Sequence, residues 1–341
     1  MSKLYTGQAK KTDTPSGQAE GKTSSKKESR TGKDLSYKSF YEFSPFMYFT
    51  VDSSGIVIAA NSTSTSGLGF SEEELVGKPV LDVFHPGDRE CVAERLKISF
   101  DNPGIEYRWE ARKVKKDGNV IWVRENAKTI RTESGDGFAK IACEDITEQK
   151  MALSMLNIEK KVFESMAGNN PLYRTLELIC SEIEKLANGM LCSFLIIDES
   201  GKRLRHGAAP SLPEEYMRAI DGSEIGPAAG SCGTSAYNKA PVIVTDIETD
   251  PLWEDYRDLA LRHSLRACWL MPIISSEDKV LGTFAMYYNE PRSPVADEMT
   301  LVDTVVRLAT IAIERTNAQE MATHFAGILE EAINEIYIFD A

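Results

Sequence analysis

The sequence predicts an α+β protein built from two globular domains and a helical connector. Its 341 residues exceed one typical domain, and an apolar content of 42% is enough for two cores. In the first half, a strand pair, short helices and three antiparallel strands follow one another. In the second half, strands lie between long helices. Antiparallel sheets with flanking helices of this kind belong to the α+β class.

The first domain is expected at residues 38–148. Met47–Asp52 and residues 56–60 are predicted to form a hairpin, and Ser71 with Glu74 forms a capping box that begins a short helix. Asp88 is expected to cap the helix that follows. Three antiparallel strands are then predicted at residues 107–112, 120–130 and 138–144, with a turn at Asp117-Gly118.

A helical connector is expected at residues 149–168. Its apolar residues Met151, Met155, Ile158 and Val162 follow a 4-3-4 spacing and form a short seam. Packing of this seam on its own domain and dimerisation through it fit the pattern equally well.

The second domain is expected at residues 169–316. A helix with a clean apolar stripe opens it, and strands are predicted at residues 191–198, 203–209, 242–245, 267–274 and 280–288. Shorter helices are predicted at residues 213–220 and from about Ser231, and a long helix from residue 294 towards residue 332. Residues 317–341 are expected to hold a linker helix and the first strand of an incomplete further domain, so the chain is expected to be part of a longer protein.

Charge is distributed unevenly, because residues 1–33 carry +5 and the remainder −18 of the net −13. Residues 1–37 are therefore predicted to be a disordered basic tail, and the acidic body argues against a nucleic-acid partner. No signal-peptide core and no apolar run of about 20 residues is present, which predicts a cytoplasmic protein without a membrane partner. The six cysteines and four histidines form no metal motif, so no metal site is expected.

Several segments resemble known sensory families. VDSSGIVIAAN, GFSEEELVGKPVLDVFHPGD, VKKDGNVIWVREN and CEDITEQK resemble PAS domain sequences, and Asp145-Ile146-Thr147 matches the motif with which PAS domains lead into a following helix. Residues 226–294 resemble GAF domains, the ligand-sensing modules of microbial signalling proteins, most closely at residues 246–253 and 267–272. The final residues, 325–341, resemble the beginning of a second PAS domain.

This resemblance implies the sensory input region of a cytoplasmic signal-transduction protein, of the sensor histidine kinase or cyclic-di-GMP enzyme type. Such a region binds a small ligand or senses redox state, dimerises through its linker helices and acts on an output kinase or cyclase domain or a response regulator. No catalytic residues are expected, and His324 lacks the acidic residue and proline that follow kinase phosphoacceptors. The alternatives are a ligand-free dimerisation and protein-interaction scaffold, and a thiol-dependent GAF-type reductase.

Ligand-binding residues are expected on the glycine-rich loop and on the acidic, tryptophan-bearing loop of the GAF-like segment. The candidates are Cys232, Gly233, Thr234, Trp253, Tyr256 and Cys268. The start of a helix at Cys232 can lower a thiol pKa, which would suit a redox switch or covalent cofactor attachment. A small structural residue in a tight turn is the favoured interpretation of Cys232, and core packing that of Cys268.

The cofactor is unknown from the sequence: none is specified, and heme or another small ligand is not excluded. The resemblance also disfavours reductase chemistry, because GAF-type reductases need a closer set of cysteines with an intervening thiol. In this chain no cysteine lies between Cys232 and Cys268. In the PAS-like segment Phe84, Trp109 and Trp122 are expected near a pocket, and His85 is interpreted as part of a turn.

Overall fold

The computed structural model describes residues 38–131, 137–187, 189–294 and 296–338, and in it the chain divides into two units between Glu148 and Gln149. The predicted basic tail, residues 1–37, lies outside the described residues. Each unit has its own antiparallel sheet with helices packed on it, which confirms the predicted α+β class.

The sheet of the first unit has five strands in the order β2-β1-β5-β4-β3. These are β1 (Met47–Asp52), β2 (Val57–Ala60), β3 (Glu106–Val114), β4 (Val120–Arg131) and β5 (Gly137–Asp145). The helices are α1 (Ser62–Leu68), α2 (Glu72–Leu75) and α3 (Arg89–Asp101), with 3-10 turns at Val80–Val83 and Pro86–Asp88. Helix α1 was not anticipated. Its signal is Asn61, whose side chain accepts a hydrogen bond from the Ser64 N–H at 3.1 Å and caps the helix.

The two predicted helix caps of this unit have different outcomes. The capping box is confirmed, with the Ser71 N–H donating to Glu74 Oε2 at 2.9 Å. The cap by Asp88 is wrong, because its side chain makes no capping hydrogen bond. Its carboxylate instead accepts hydrogen bonds from the Arg112 side chain at 2.6 and 3.0 Å and from the Arg112 backbone N–H at 2.8 Å. Hydrogen bonds between a carboxylate and a guanidinium join two charged groups and are stronger than one from a neutral backbone N–H, so the Asp88 carboxylate pairs with Arg112.

The segment that follows the first sheet is held by side-chain hydrogen bonds. Asp145 Oδ1 accepts hydrogen bonds from the Thr147 N–H at 2.9 Å and from the Thr147 hydroxyl at 2.6 Å. The Trp122 N–H donates to Thr147 Oγ1 at 2.9 Å, while Ile146 is buried between these two polar residues. These hydrogen bonds therefore fix residues 145–147 as the connection between the end of the first sheet and the start of the next helix.

The sheet of the second unit has six strands in the order β8-β7-β6-β11-β10-β9. They are β6 (Leu191–Ile197), β7 (Arg203–Ala208), β8 (Ser223–Glu224), β9 (Val242–Val244), β10 (Ala267–Ile274) and β11 (Val280–Tyr288). The remaining helices are α4 (Thr147–Ala167), α5 (Leu172–Leu186), α6 (Glu214–Ile220), α7 (Gly230–Asn238), α8 (Arg257–Arg262) and α9 (Ala296–Ile338).

Both faces of the second sheet are buried, each in a different core. Phe194, Trp269 and Phe284 lie on one face, in a core shared with α4, α5 and α9. Leu195 and Tyr287 lie on the other face, with Cys268, in a core shared with α6, α7 and the loop around Trp253. Because neighbouring residues of a strand point to opposite faces, this alternation places the second core under the loops.

The apolar seam of α4 packs on its own unit. Ile158, Val162 and Met166 are buried in the core of the second unit, and Met155 packs against it. Towards α5, the Lys161 ammonium lies 2.7 Å from Glu182. Of the two arrangements compatible with the spacing, the structure shows the intramolecular one for Met155, Ile158 and Val162, whereas Met151, the first residue of the seam, is 38% exposed.

Helix α9 is buried in its first part and exposed in its second. Val305, Leu308 and Ile313 lie in the core, whereas every side chain of residues 317–331 is exposed. Helix α9 is described as far as Ile338. Residues 339–341, the end of the segment in which a strand was expected, lie outside the described residues, and the incomplete further domain stays a prediction. Among the described residues, no helix combines the length and the apolar character needed to cross a bilayer.

Candidate ligand-binding site

Helix α7 lies unusually close to β8 because of glycine. A Cβ atom at Gly233 would overlap the Glu224 carbonyl oxygen and would lie 2.7 Å from the Ala229 side chain. Gly230 begins the helix with a φ of +61°, and the Tyr256 ring lies where its Cβ would make contact, at 3.5 Å. Only glycine allows this backbone conformation and this close approach without strain. Gly233, predicted as a ligand residue, thus has a packing role.

A small cavity of about 30 Å³ lies at the N-terminal end of α7. Its wall is formed by side chains from four segments of the chain. Those with polar or aromatic groups are Tyr216, Ser223, Ser231, Cys232, Trp253 and Tyr256. Three of the six predicted site residues, Cys232, Trp253 and Tyr256, are therefore brought together here.

The tryptophan-bearing loop is fastened to α7 by a buried hydrogen bond. Trp253 Nε1 donates to Ser231 Oγ at 2.7 Å, and the Trp253 side chain is almost fully buried. Asp250 Oδ1 accepts from the Leu252 N–H at 2.9 Å and begins the 3-10 turn that carries Trp253. Asp250 therefore helps to position the loop over the cavity.

Two other acidic residues of this loop pair with an arginine. The Arg266 guanidinium lies 3.2 Å from Asp246 and 2.8 Å from Glu248. Arg257 Nη2 donates to the backbone carbonyl oxygen of Asp250 at 3.0 Å. Both arginines help to hold the loop, and none of the residues that line the cavity is acidic or basic.

Thr234 and Cys268, the remaining predicted site residues, do not line the cavity. Thr234 is buried within α7, and its hydroxyl has no hydrogen-bond partner among the described residues. Cys268 is fully buried on β10, opposite Tyr287 of β11. Its thiol lies close enough to that of Cys232 for the two to interact electrostatically.

The thiols beside the cavity are poor nucleophiles. Burial raises the pKa of Cys232 to about 12, an effect that a hydrogen bond from the Tyr287 hydroxyl only partly offsets. Burial, and next the neighbouring Cys232, raises the pKa of Cys268 well above its usual value. The lowered pKa considered for Cys232 is therefore wrong, because desolvation outweighs the helix terminus. Both thiols are protonated at neutral pH.

Two cavity-side tyrosines were missed by the sequence reasoning. Tyr216 of α6 and Tyr287 of β11 are fully buried, and their rings meet edge to face with centroids 5.6 Å apart. Burial raises the pKa of both hydroxyls well above the usual value, so both are neutral. The alternation of β11 places Thr283, Ala285 and Tyr287 on one face, which is the signal that could have indicated Tyr287.

The interior of the first unit contains a buried ion pair instead of a cavity with polar walls. Lys113 Nζ of β3 lies 3.0 Å from Glu125 Oε1 of β4, and both side chains are essentially inaccessible, with 0% and 1% exposed. The ammonium also lies 3.7 Å from the centre of the Phe84 ring and 4.8 Å from that of Phe49. Within the described chain, neither the ammonium nor the Glu125 oxygens, nor Trp109 Nε1, has a hydrogen bond of good geometry.

The residues expected near a pocket in the first unit are separated by the sheet. Phe84 and Trp109 are buried in the core. Trp122 lies on the outer face, where Arg112 stacks over its ring at 5.6 Å. His85 accepts a hydrogen bond from the Gly87 N–H at 3.2 Å through Nδ1 and has the turn role that was predicted. The part of the chain that the structure describes contains no group of three or more metal-ligating side chains.

Comparisons with known proteins agree with this two-unit architecture. Residues 57–138 match the family model of the PAS fold, and residues 169–314 match that of the GAF domain. A methyl sulfide methyltransferase-associated sensor from Methanosarcina acetivorans is 32% identical over 288 residues, which are 81% of this chain and 28% of that protein. The sensor histidine kinase TmoS of Ectopseudomonas mendocina is 26% identical over 129 residues, 37% of this chain and 13% of that kinase.

Among solved structures, the PAS domain of an HTR-like protein from Haloarcula marismortui is 23% identical, with a TM-score of 0.32. The match covers 36% of this chain and 98% of that domain.

The first unit therefore contains a PAS fold and the second a GAF domain, as predicted. Taken together, the chain is a PAS–GAF region similar to those of signal-transduction sensor proteins. It spans 28% and 13% of the two sensors that it matches.

Proposed function

We propose that this chain is the sensory input region of a cytoplasmic signal-transduction protein, and that it binds a small molecule in the GAF cavity between α6, α7 and the Trp253 loop. The observation that carries the proposal is the cavity itself, which is lined by Tyr216, Trp253 and Tyr256 and bordered by the Trp253–Ser231 hydrogen bond. A ligand that binds better to one arrangement of this loop shifts the protein towards that arrangement. Similarity to two sensors supports the assignment.

Helix α9 is the proposed path of the signal out of the GAF domain. Its first part packs through Leu308 and Ile313 on the sheet, whose opposite face borders the cavity region. Its second part is exposed. A change in sheet packing therefore acts on a helix whose far end is available to a partner. In the whole protein we propose that this partner is an output kinase or cyclase domain, or a response regulator.

The exposed part of α9 is also a proposed dimer contact. Met321, Phe325 and Ile328 follow the 4-3 spacing of a coiled-coil seam and are 60%, 58% and 47% exposed. Burial of such side chains against a second copy stabilises a dimer by roughly 1.5–3 kcal/mol each. We expect Phe325→Glu to raise the dimer dissociation constant at least tenfold in sedimentation equilibrium.

The control for this measurement is Thr323→Glu, on the opposite side of the same exposed helix. It adds the same charge without removing an apolar contact, so the dissociation constant should stay within a factor of about two. A monomeric wild-type chain, or equal effects of both variants, contradicts a dimer through this seam.

Ligand binding and relay are tested together by hydrogen exchange on the full chain. A small-molecule library is screened by ligand-observed NMR, and a hit is followed by exchange in peptides covering α7, residues 246–256 and α9. We expect protection at both the cavity loop and α9. Ser223→Leu, which fills the cavity, should abolish both effects, and Ser276→Leu on an exposed turn should abolish neither. Binding without a response in α9 refutes the relay.

The reductase alternative is opposed by the state of its thiols. A protonated Cys232 with a pKa of about 12 is a weak nucleophile, and Cys268 is more deeply buried. We propose that the chain carries no thiol chemistry of its own. The wild type and Cys232→Ser should show the same background rate of thiol-dependent reduction. Loss of a measurable reductase activity in this variant favours the enzyme instead.

A further inference from the structure

The wall of the GAF cavity offers no charge to pair with an ionised ligand. Among its described lining residues, every side chain is aliphatic, aromatic, hydroxyl-bearing or a thiol. Burial raises the pKa of Tyr216 and of Cys232, so both side chains are neutral at pH 7. The nearby acidic residues Asp246 and Glu248 are engaged with Arg266. A charged ligand would therefore be buried without a counter-charge.

An unsatisfied hydroxyl group belongs to the wall of the same cavity. Ser223 Oγ is buried and has no hydrogen-bond partner among the described residues. Buried polar atoms without partners are rare in folded proteins, so this hydroxyl is a place where a polar ligand atom can form a stabilising hydrogen bond.

The N-terminal end of α7 determines whether that ligand atom should donate or accept a hydrogen bond. The helix begins at Gly230, and no side chain of its N-cap residue Ala229 accepts from the first-turn N–H groups. Together with Ser223, these donors favour a hydrogen-bond acceptor. A helix N-terminus favours even a full negative charge by at most about 30-fold. Transfer of an unpaired carboxylate out of water costs at least about 500-fold, so a neutral acceptor prevails.

We infer that the GAF cavity binds a small uncharged molecule carrying a carbonyl-type hydrogen-bond acceptor and a short apolar body. This inference rests on the proposed function and specifies the class of its ligand. The cavity of about 30 Å³ has room for about two water-sized groups. Compact ligands are therefore favoured, and larger ones require the Trp253 loop to move.

The test compares acetamide with acetate, two molecules of nearly the same shape that differ in charge. The full chain is labelled with 5-fluorotryptophan, and the fluorine resonance of Trp253 is assigned among the four tryptophans with Trp253→Phe. Titration of that resonance gives a dissociation constant for each compound at pH 7. We expect acetamide to bind at least tenfold more tightly than acetate.

Variants connect the binding to the hydroxyl of Ser223. Ser223→Ala should weaken acetamide binding about fivefold and leave acetate unchanged, whereas Ser276→Ala should affect neither. Equal or tighter binding of acetate overturns the inference of a neutral ligand but leaves the proposed sensory function standing. If neither compound moves the Trp253 resonance, the inference also fails. The function is then judged by the exchange response of α9, which does not use these probes.

Discussion

Removal of either member of the Lys113–Glu125 pair should destabilise the PAS domain strongly, whereas replacement of both should not. The two groups lie 3.0 Å apart in the core, with no more than 1% of either side chain exposed. Breaking a buried pair leaves an uncompensated charge, and this typically costs about 3–5 kcal/mol. Apolar residues of similar volume often restore stability because both desolvation penalties then disappear.

Protonation limits the size of each single effect. A lysine can lose its proton at pH 7 for about 4.6 kcal/mol, and a glutamate can gain one for about 3.7 kcal/mol. We therefore expect Glu125→Leu and Lys113→Met each to cost about 3–4 kcal/mol. The double variant should lie within about 1 kcal/mol of the wild type, so that the coupling free energy exceeds about 3 kcal/mol.

The assay is urea unfolding of the full chain, followed by hydrogen exchange in peptides from β3 and β4, which reports on the PAS domain alone. Glu110→Gln, which breaks the partly exposed pair with Arg124 on the opposite face of the same strands, serves as the control and should cost less than about 1 kcal/mol. Additive single effects, or a cost of Glu125→Leu near that of the control, would refute the buried pair.

Two further changes test the fold around the site and the PAS surface. Gly233→Ala should destabilise the GAF domain by about 1–3 kcal/mol in urea unfolding, because its Cβ meets the Glu224 carbonyl. Gly327→Ala, in open space on α9, should be neutral or stabilising, and equal effects contradict the close approach. Hydrogen bonds from Arg112 lower the pKa of Asp88, so the stability contributed by this pair should be present above about pH 4 and disappear as pH falls through the lowered value. The difference between the wild type and Asp88→Asn should vanish in acid, and a constant difference across the range would show that the ion pair is not its source.

Local pattern was sufficient for the order of the domains and for most elements. Alternation along residues 107–112 and the turn at Asp117-Gly118 identify two strands, and the Ser71 capping box identifies a helix start, because each depends on residues close in the chain. Helix α1 was missed because its serines, threonines and glycine are weak helix formers, and only the Asn61 cap indicates it.

The candidate site was only partly accessible from the sequence. Cys232, Trp253 and Tyr256 were found because their loops resemble GAF loops, and the structure gathers them around one cavity. Tyr216 and Ser223 were not found, because no local pattern relates the turn after α6 to the start of α7. Which residues of separate elements meet is decided by strand order, and strand order is not a property of any one segment.

The buried Lys113–Glu125 pair shows most clearly what the sequence can predict and what the tertiary structure decides. Strict alternation after Trp109 and Ala111 places Lys113 on the inner face, but its charge alone predicts exposure. Only the tertiary structure decides the matter, by setting Glu125 and the ring of Phe84 beside the ammonium. The sequence by itself determined most strands and helices, because periodicity, caps and turns act over a few residues, and its resemblance to known families indicated the PAS and GAF folds. The buried pair, the neutral cavity and the packing of α4 depend on contacts between distant segments, and these exist only once both sheets have formed.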